Sequence, residues 1–543
     1  MRHVTTLVVS LSNHERSARP STGSGRACSL WLAFWRSPPR CRFWGIGFGL
    51  PHVHARPDEL LIVATALGFF TSNLNPHFFD YPALYIYILF ALLVVYYAWS
   101  RLAGWSTSAA HFVGGTHGRW PMFYLIGRGV SAIVGTLTVL WVYRIGRALF
   151  DRSIGLAAAI FLSLAFLHVR DSHYATTDVT MTLFVMCAML SLVRLHQDRR
   201  SRHAWSAAIF AGLAMGTKYN AALLAVPMGV VELFHAWPQR RDLRAVLREH
   251  VSAADGGRHA RHLPGDESVS AARLSQKALQ DFRALQESMS VGMTPPELLG
   301  PGWIYHFRFS LVHGLGIPLL VASILGIGVA ARRDPKAALL LGSFPAAYYL
   351  VAGASANVFV RYMIPIVPFL CLFAAVAVDA ISLAAARATG LRQGLVGLAL
   401  VVAIVAPSAW SVFQFDRLLA REDSRVMAAK WVMENVPFGS SVYHHRQHVR
   451  FSSARGPRQS EIPADWLRLP GEQLHREIAA VYAVARLDHR AALGAPVQPH
   501  PAARARHAAL GVSPGPRGPR GGSRHTRKRL RHPGRVLPAV RRV

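Results

Sequence analysis

At 543 residues the chain has room for several soluble domains or one large membrane domain, and a hydrophobic fraction of 52% favours the second. The formal net charge of +32 comes from 60 Lys and Arg against 28 Asp and Glu, and much of the excess lies before residue 43 and after residue 445, away from the apolar middle. The four cysteines (Cys28, Cys41, Cys187, Cys371) are scattered with no CxxC and imply neither a disulfide framework nor a zinc site, and the lack of a GxGxxG or Walker pattern argues against a nucleotide-sugar donor held in a cytoplasmic domain.

In chain order, residues 1–50 are a basic N-terminus in which Arg36, Pro38, Pro39, Arg40 and Arg42 interrupt a first span. Residues 51–122 read as a first outer loop. It carries "HARPDE" at 54–59, which sets Asp58 and Glu59 against the apolar run "LLIVATALGFF". Carboxylates at a helix N-terminus suit its macrodipole, so a plain structural role is the default there. His52 and His54 form an H-x-H, though a loop histidine in a His-rich chain usually binds nothing. Asp80 suits the cap of a following helix. The Tyr-rich run 84–99 is short for a span and is expected to lie along the outer face as a juxtamembrane helix. The tyrosines and phenylalanines of 78–99 suit interfacial packing better than sugar stacking.

Residues 123–236 form a transmembrane core, with spans at 123–141 and 179–195 and a hairpin of short spans at 205–236 that turns at "TKYN". Residues 237–305 are an irregular loop, 306–415 hold the C-terminal transmembrane helices, and 416–543 are an outer region, basic and disordered after 444. Basic loops follow the 123–141 span (Arg144, Arg147, Arg152), the 179–195 span (Arg199, Arg200, Arg202) and the 311–330 span (Arg332, Arg333, Lys336). The positive-inside rule puts these in the cytoplasm. The stretches 170–178 and 354–361, and the C-terminal region, then face outside. Counting crossings leaves one unaccounted for between 238–248 and 311–330: either 205–236 crosses only once or, the favoured reading, a span is missing. The segments 1–45, 240–275 and 444–543 have the Arg, His, Gly and Ala flavour of GC-rich DNA read out of frame. An inactive frameshifted product is therefore one reading, and impaired activity is expected. Equal turnover by a chain with both spans repaired would refute that. The basic tail, facing away from the cytoplasm, is not expected to bind nucleic acid.

This topology gathers polar residues at one face: Asp58, Glu59 and His77 in the first outer loop, Asp171, His173 and Asp178 in the second, Lys218 at the hairpin turn and Arg361 at the mouth of a span. Arg128 lies within a span, where a cation is costly unless it snorkels or meets an anion. Lys218 and Arg361 suit interfacial anchoring as well as phosphate binding. A carboxylate can take the proton from an acceptor hydroxyl, and cations can stabilise a departing phosphate. Asp178 and His173 could together hold a divalent ion. Gly127, Gly135, Gly212 and Gly216 are close-packing positions of membrane helices.

In these segments the chain resembles the GT-C membrane glycosyltransferases, specifically glycosyltransferase family 39, with the protein O-mannosyltransferases and the lipid A aminoarabinose transferase. The likeness runs over about 50–240 and 275–443. It is carried by "RPDE", "NPHFFDYPALYIYIL", "GRGVSAIVGTLTVLWVYRIGRALFD", "HVRDSHYATTDVTMTLF", "AGLAMGTKYNAAL", "GWIYHFRFSLVHGLGIPLL", "RYMIPIVPFL" and "DSRVMAAKWVMENVPFGSSVY". The resemblance implies an all-α polytopic membrane protein, a GT-C helix bundle with juxtamembrane helices in its first outer loop. It makes Asp58 the catalytic base with Glu59 its acidic neighbour. Asp178 becomes the site-shaping acid of the second loop, a metal holder in some relatives. Arg128 contacts the lipid phosphate, with Lys218 and Arg361 matching basic positions less securely. The expected reaction, in a bacterial plasma membrane, transfers a hexosyl or mannosyl group from a polyprenyl-phosphate sugar to a hydroxyl of a protein, lipid or polysaccharide on the extracytoplasmic face. No cofactor beyond a divalent metal is implied. The alternative is a transporter or flippase for a lipid-linked or anionic solute, but a transporter should hold its charges near the midplane and often shows an internal repeat.

Overall fold

The computed structural model describes residues 40–51, 57–77, 79–114, 120–236, 300–355, 357–435, 441–443 and 458–460. The His52/His54 pair, residues 1–39, the 237–299 loop expected to lack a span, and most of the tail after 444 lie outside the described residues.

Helix α1 (Pro57–Gly68) starts at a proline, which suits a first helical position, and holds Asp58 and Glu59 in its first turn. Helix α2 (Leu84–Leu102) packs on α1 and on α3 (Trp120–Leu149). Their contact is an aromatic cluster in which Phe70, Phe90, Tyr97, Phe112 and Phe123 meet edge-on or tilted, with centroids 5.1–5.5 Å apart. These aromatic side chains thus pack against one another within the protein. The helix is longer than the apolar run 84–99 suggested, and by length and composition alone it could cross a membrane.

At 30 residues α3 is about 45 Å long, more than a bilayer core needs. Arg144 and Arg147 lie inside its last turns rather than in the loop the sequence suggested, since basic side chains suit a helix C-terminus. Asp151 then caps α4 (Arg152–Leu164), its side chain accepting from the Ile154 amide at 2.9 Å. After a short turn of helix, Phe166–Asp171, the chain enters α5 (Thr177–Asp198), which is buried along most of its length. Helix α6 (Ser201–Thr217) ends at Lys218, whose backbone is extended, and a 3-10 turn (Tyr219–Leu224) leads into α7 (Ala225–Ala236). The break falls at "TKYN", as expected.

In the C-terminal half, Gly302–Leu315 joins α8 (Ile317–Arg333) through a 112° bend at Gly316, which has the positive φ that glycine tolerates. Helix α9 (Pro335–Gly353) follows. The prolines of "RYMIPIVPFL" then replace the first turns of the next span with a 3-10 stretch, Val360–Ile366, before α10 (Val367–Thr389). Helices α8 and α10 are in backbone contact at Gly326, where a Cβ would lie 1.8 Å from the Phe373 carbonyl oxygen. Helix α11 (Gln393–Leu419) and α12 (Ser424–Asn435) complete the helices. Five described stretches are long and apolar enough to cross a membrane, or six with the bent pair. The only described strands, Ser441–Tyr443 and Arg458–Ser460, pair in parallel. The molecule is a polytopic, essentially all-helical bundle.

Candidate active site

Two consecutive acids open α1, and because successive helical residues point about 100° apart, they enter different surroundings. Glu59 turns into the bundle and is fully buried. Its Oε1 accepts from Arg128 Nε at 3.0 Å and from the Ala175 amide at 2.8 Å, and its Oε2 accepts from Arg128 Nη2 at 2.8 Å. The other guanidinium nitrogen of Arg128 donates to the carbonyls of Ile46 and Phe48, both at 2.9 Å, and its Cζ lies 3.9 Å from the centre of the Phe48 ring. A bidentate arginine–carboxylate pair so completed ties α1, α3, the 173–176 turn and the 44–50 segment together. Four of the five N–H donors of Arg128 are thereby engaged, so the structure puts it beside Glu59 inside the protein.

Asp58 faces the other way and is about a third exposed, its carboxylate Oδ2 bonded to Arg361. Arg361 stands on the 3-10 stretch, with its Nε 3.9 Å from Asp178 Oδ2. Asp178, in the first turn of α5, receives Lys218 Nζ on its other oxygen at 2.5 Å. The four charges form a line, Asp58–Arg361–Asp178–Lys218, in which acids and bases alternate. Each member comes from a helix start or break, where the sequence stops regular hydrogen bonding: the first turns of α1 and α5, the extended Lys218, and the proline-rich 3-10 turn. Asp178 and Lys218 are buried while Asp58 and Arg361 are partly open, so the line runs from the interior toward an accessible end.

Two tyrosines that the sequence reading does not place at the site, Tyr81 being read there as packing, stand beside this line. Tyr362 offers its ring 5.0 Å from Lys218 Nζ. Tyr81, in the loop before α2, is close enough to feel Arg361, Asp58 and Asp178, and burial pushes its phenol above the ordinary range. Both sit next to residues the sequence did single out, Asp80 and Arg361, but nothing in a lone tyrosine separates this role from packing. Asp171 is buried against Arg170 (Nη2–Oδ2 2.7 Å), and burial raises its carboxyl, with Arg170 opposing the shift.

His173 belongs elsewhere. Its ring nitrogens face the carbonyls of Val169 at 3.0 Å and Trp44 at 3.2 Å, with Asp416 Oδ1 3.6 Å from Nε2. Asp178 and His173 therefore have separate partners. No cluster of three or more His, Cys, Asp or Glu side chains suited to a metal occurs among the described residues. Arg42, read as an interruption of a first span, is buried. It donates to the carbonyls of Ser163 and Leu162 at 3.4 Å and lies 3.1 Å from His168 Nδ1. The 40–50 segment is thus packed against the 162–173 region and supplies carbonyls to both Arg128 and His173.

Comparison with known proteins agrees with this architecture. The sequence profile of the dolichyl-phosphate-mannose-protein mannosyltransferase family matches residues 102–248. That stretch includes Arg128, Asp178 and Lys218 and leaves out Asp58, Glu59 and Arg361. No curated protein matches the chain in sequence. Among solved structures, ArnT from Cupriavidus metallidurans bound to undecaprenyl phosphate is similar at a TM-score of 0.50 and 16% identity, over 78% of this chain and 84% of that one. The archaeal oligosaccharyltransferase AglB from Archaeoglobus fulgidus, in complex with an inhibitory peptide and a dolichol-phosphate, aligns at a TM-score of 0.46 and 13% identity. That alignment covers 76% of this chain and 58% of the AglB chain. The chain thus matches that family's model within its core, over residues 102–248, and shares the fold of ArnT across most of its length.

Proposed function

We propose that the protein transfers a sugar, of hexosyl or mannosyl type, from a polyprenyl-phosphate donor to a hydroxyl acceptor at the extracytoplasmic face of a bacterial plasma membrane. The observation that carries this reading is the alternating line Asp58–Arg361–Asp178–Lys218 at one end of the bundle, partly open at Asp58. The charges gather at helix ends, where a lipid-borne phosphate arrives, rather than along the middle of the spans as a transport path would require. The neighbour solved with undecaprenyl phosphate supports a donor of that class.

In this reading Asp58 is the base. Its carboxylate takes the proton of the acceptor hydroxyl as the hydroxyl oxygen bonds to the anomeric carbon. The bond from that carbon to the phosphate oxygen breaks on the opposite side, with inversion, and the electron pair leaves on the polyprenyl phosphate. Arg361 and Lys218 stabilise the charge that develops there, in competition with their present carboxylate partners. Asp178 holds the two cations together, one beside each of its carboxylate oxygens. Arg128, expected at the donor phosphate, is assigned instead with Glu59 to fixing α1 so that Asp58 faces the site. Asp178 and His173, weighed as a metal pair, act separately, His173 anchoring the 40–50 segment. The acceptor is a protein, lipid or polysaccharide hydroxyl.

The test is transfer from labelled polyprenyl-phosphate hexoses in membranes containing the full chain. The proposal expects label in an acid-stable glycosidic product from the wild type and almost none from Asp58→Asn. Undiminished transfer by Asp58→Asn would remove the proposed base.

A further inference from the structure

Far from the acidic–basic line, the C-terminal parts of α3 and α5 and the N-terminal part of α6 line an open polar cavity of about 420 Å³. Its rim carries Arg144, Arg194 and Arg202, and Trp141, Leu190 and Phe210 form apolar wall. Sixteen residues separate Asp178 from Arg194 on α5, about 24 Å along the helix axis, so this cavity is distinct from the candidate active site. No described carboxylate lines it. Arg144 stacks its guanidinium 4.9 Å from the Trp141 ring, and Arg202 Nε is 3.4 Å from His203, whose ring is itself bonded to Asp198. Arg194 forms no salt bridge with a described residue.

The positions of these cations go beyond the ordinary excess of basic loops. Arg144 and Arg194 lie within α3 and α5, before the helices end at Leu149 and Asp198, and they converge on one opening from two helices. Converging arginines without an acid suit an anion, and their planar forks suit a phosphate. Beside the opening, Leu137 lies one turn back from Trp141, and Ile209 three residues after Ser206, so both share the helix faces that line the cavity. Both are exposed, Leu137 at 38% and Ile209 at 59%, and the adjoining Trp205 is 71% exposed. A charged pocket lined by a tryptophan, with exposed apolar residues on the same helix faces, has the chemistry of a phospholipid site at a membrane surface.

We propose that the Arg144–Arg194–Arg202 cavity binds the phosphodiester headgroup of an anionic glycerophospholipid, with its acyl chains along Leu137 and Ile209. The site is independent of the transfer reaction, and its test reads binding alone. Full-length protein in nanodiscs of phosphatidylcholine is titrated with phosphatidylglycerol and followed by native mass spectrometry and thermal melting. Phosphatidylglycerol should be retained in preference to phosphatidylcholine and should raise the melting temperature. The Arg144→Gln/Arg194→Gln variant should bind it about 30-fold more weakly, given two surface cations lost, while melting like the wild type in phosphatidylcholine. If that variant does not fold, Arg202→Gln serves, with a several-fold loss expected. Equal phosphatidylglycerol affinity in wild type and the folded variant would overturn the proposal. So would an equal melting shift from inorganic phosphate at the same phosphate concentration, which would mark a site for a free anion.

Discussion

Asp58 and Glu59 are adjacent, share the first turn of α1 and carry the same charge, yet they meet opposite conditions. Glu59 is closed in by Arg128 and a backbone amide with no exposure, whereas Asp58 remains about a third exposed beside Arg361. A buried pair of this kind contributes little net stability when intact, but is costly to break because its surviving partner is left charged and dry. A partly open carboxylate costs little to hold and can meet a substrate. The comparison shows that one turn of helix can place one carboxylate as a buried brace and leave the next within reach of a ligand.

The largest effect is expected where the open half is broken. Asp58→Asn should lower transfer about 10²- to 10⁴-fold, the usual contribution of a general base, with the melting temperature nearly unchanged. Breaking the closed half should act on the fold instead. Glu59→Gln, which strands Arg128, should destabilise the protein by about 3–5 kcal/mol, read as lost folded yield and an earlier melt. Replacing both partners by apolar residues of similar size should restore part of that stability.

A smaller change sharpens the role of the central cation. Arg361→Lys keeps the charge but loses the planar fork that reaches both Asp58 and Asp178, and should reduce transfer about tenfold. Arg128→Lys should by contrast reduce folded yield. The smallest expected effect belongs to Tyr81→Phe, a few-fold change in transfer from the loss of one hydroxyl, about 1 kcal/mol, measured at matched amounts of folded protein.

Much of the fold was legible because span-length apolar runs announce themselves: α3 and α5 contain the stretches read from sequence, α10 holds all but the first turn of its run, and the break at Lys218 falls where a lysine and an asparagine interrupt an apolar hairpin. Helix α4, at 13 residues and closed by Ala165, is too short to declare itself as a span. The ends of α3 were misjudged because Arg144 and Arg147 look like loop residues until the helix is seen to carry them. At the site, the identities of Asp58, Asp178, Lys218 and Arg361 were legible as polar residues collected at one face. Their pairing was not, since Asp58 and Arg361 are joined across 303 positions and Asp178 and Lys218 across 40. Arg128 illustrates the limit. Its intramembrane charge correctly demanded an anion, but sequence could not distinguish a ligand's phosphate from Glu59. Arg42 likewise looked like an interruption, and only tertiary packing shows the carbonyls that receive it.

The central claim is the division of labour within "RPDE", and one paired measurement tests it most directly. Asp58→Asn and Glu59→Gln are each assayed for folded yield and for sugar transfer per folded molecule from a labelled polyprenyl-phosphate hexose. The account predicts wild-type yield with transfer reduced at least about 100-fold for Asp58→Asn, and poor yield with substantial transfer by the folded remainder for Glu59→Gln. Full transfer per folded molecule by Asp58→Asn, with transfer abolished in well-folded Glu59→Gln, would contradict it.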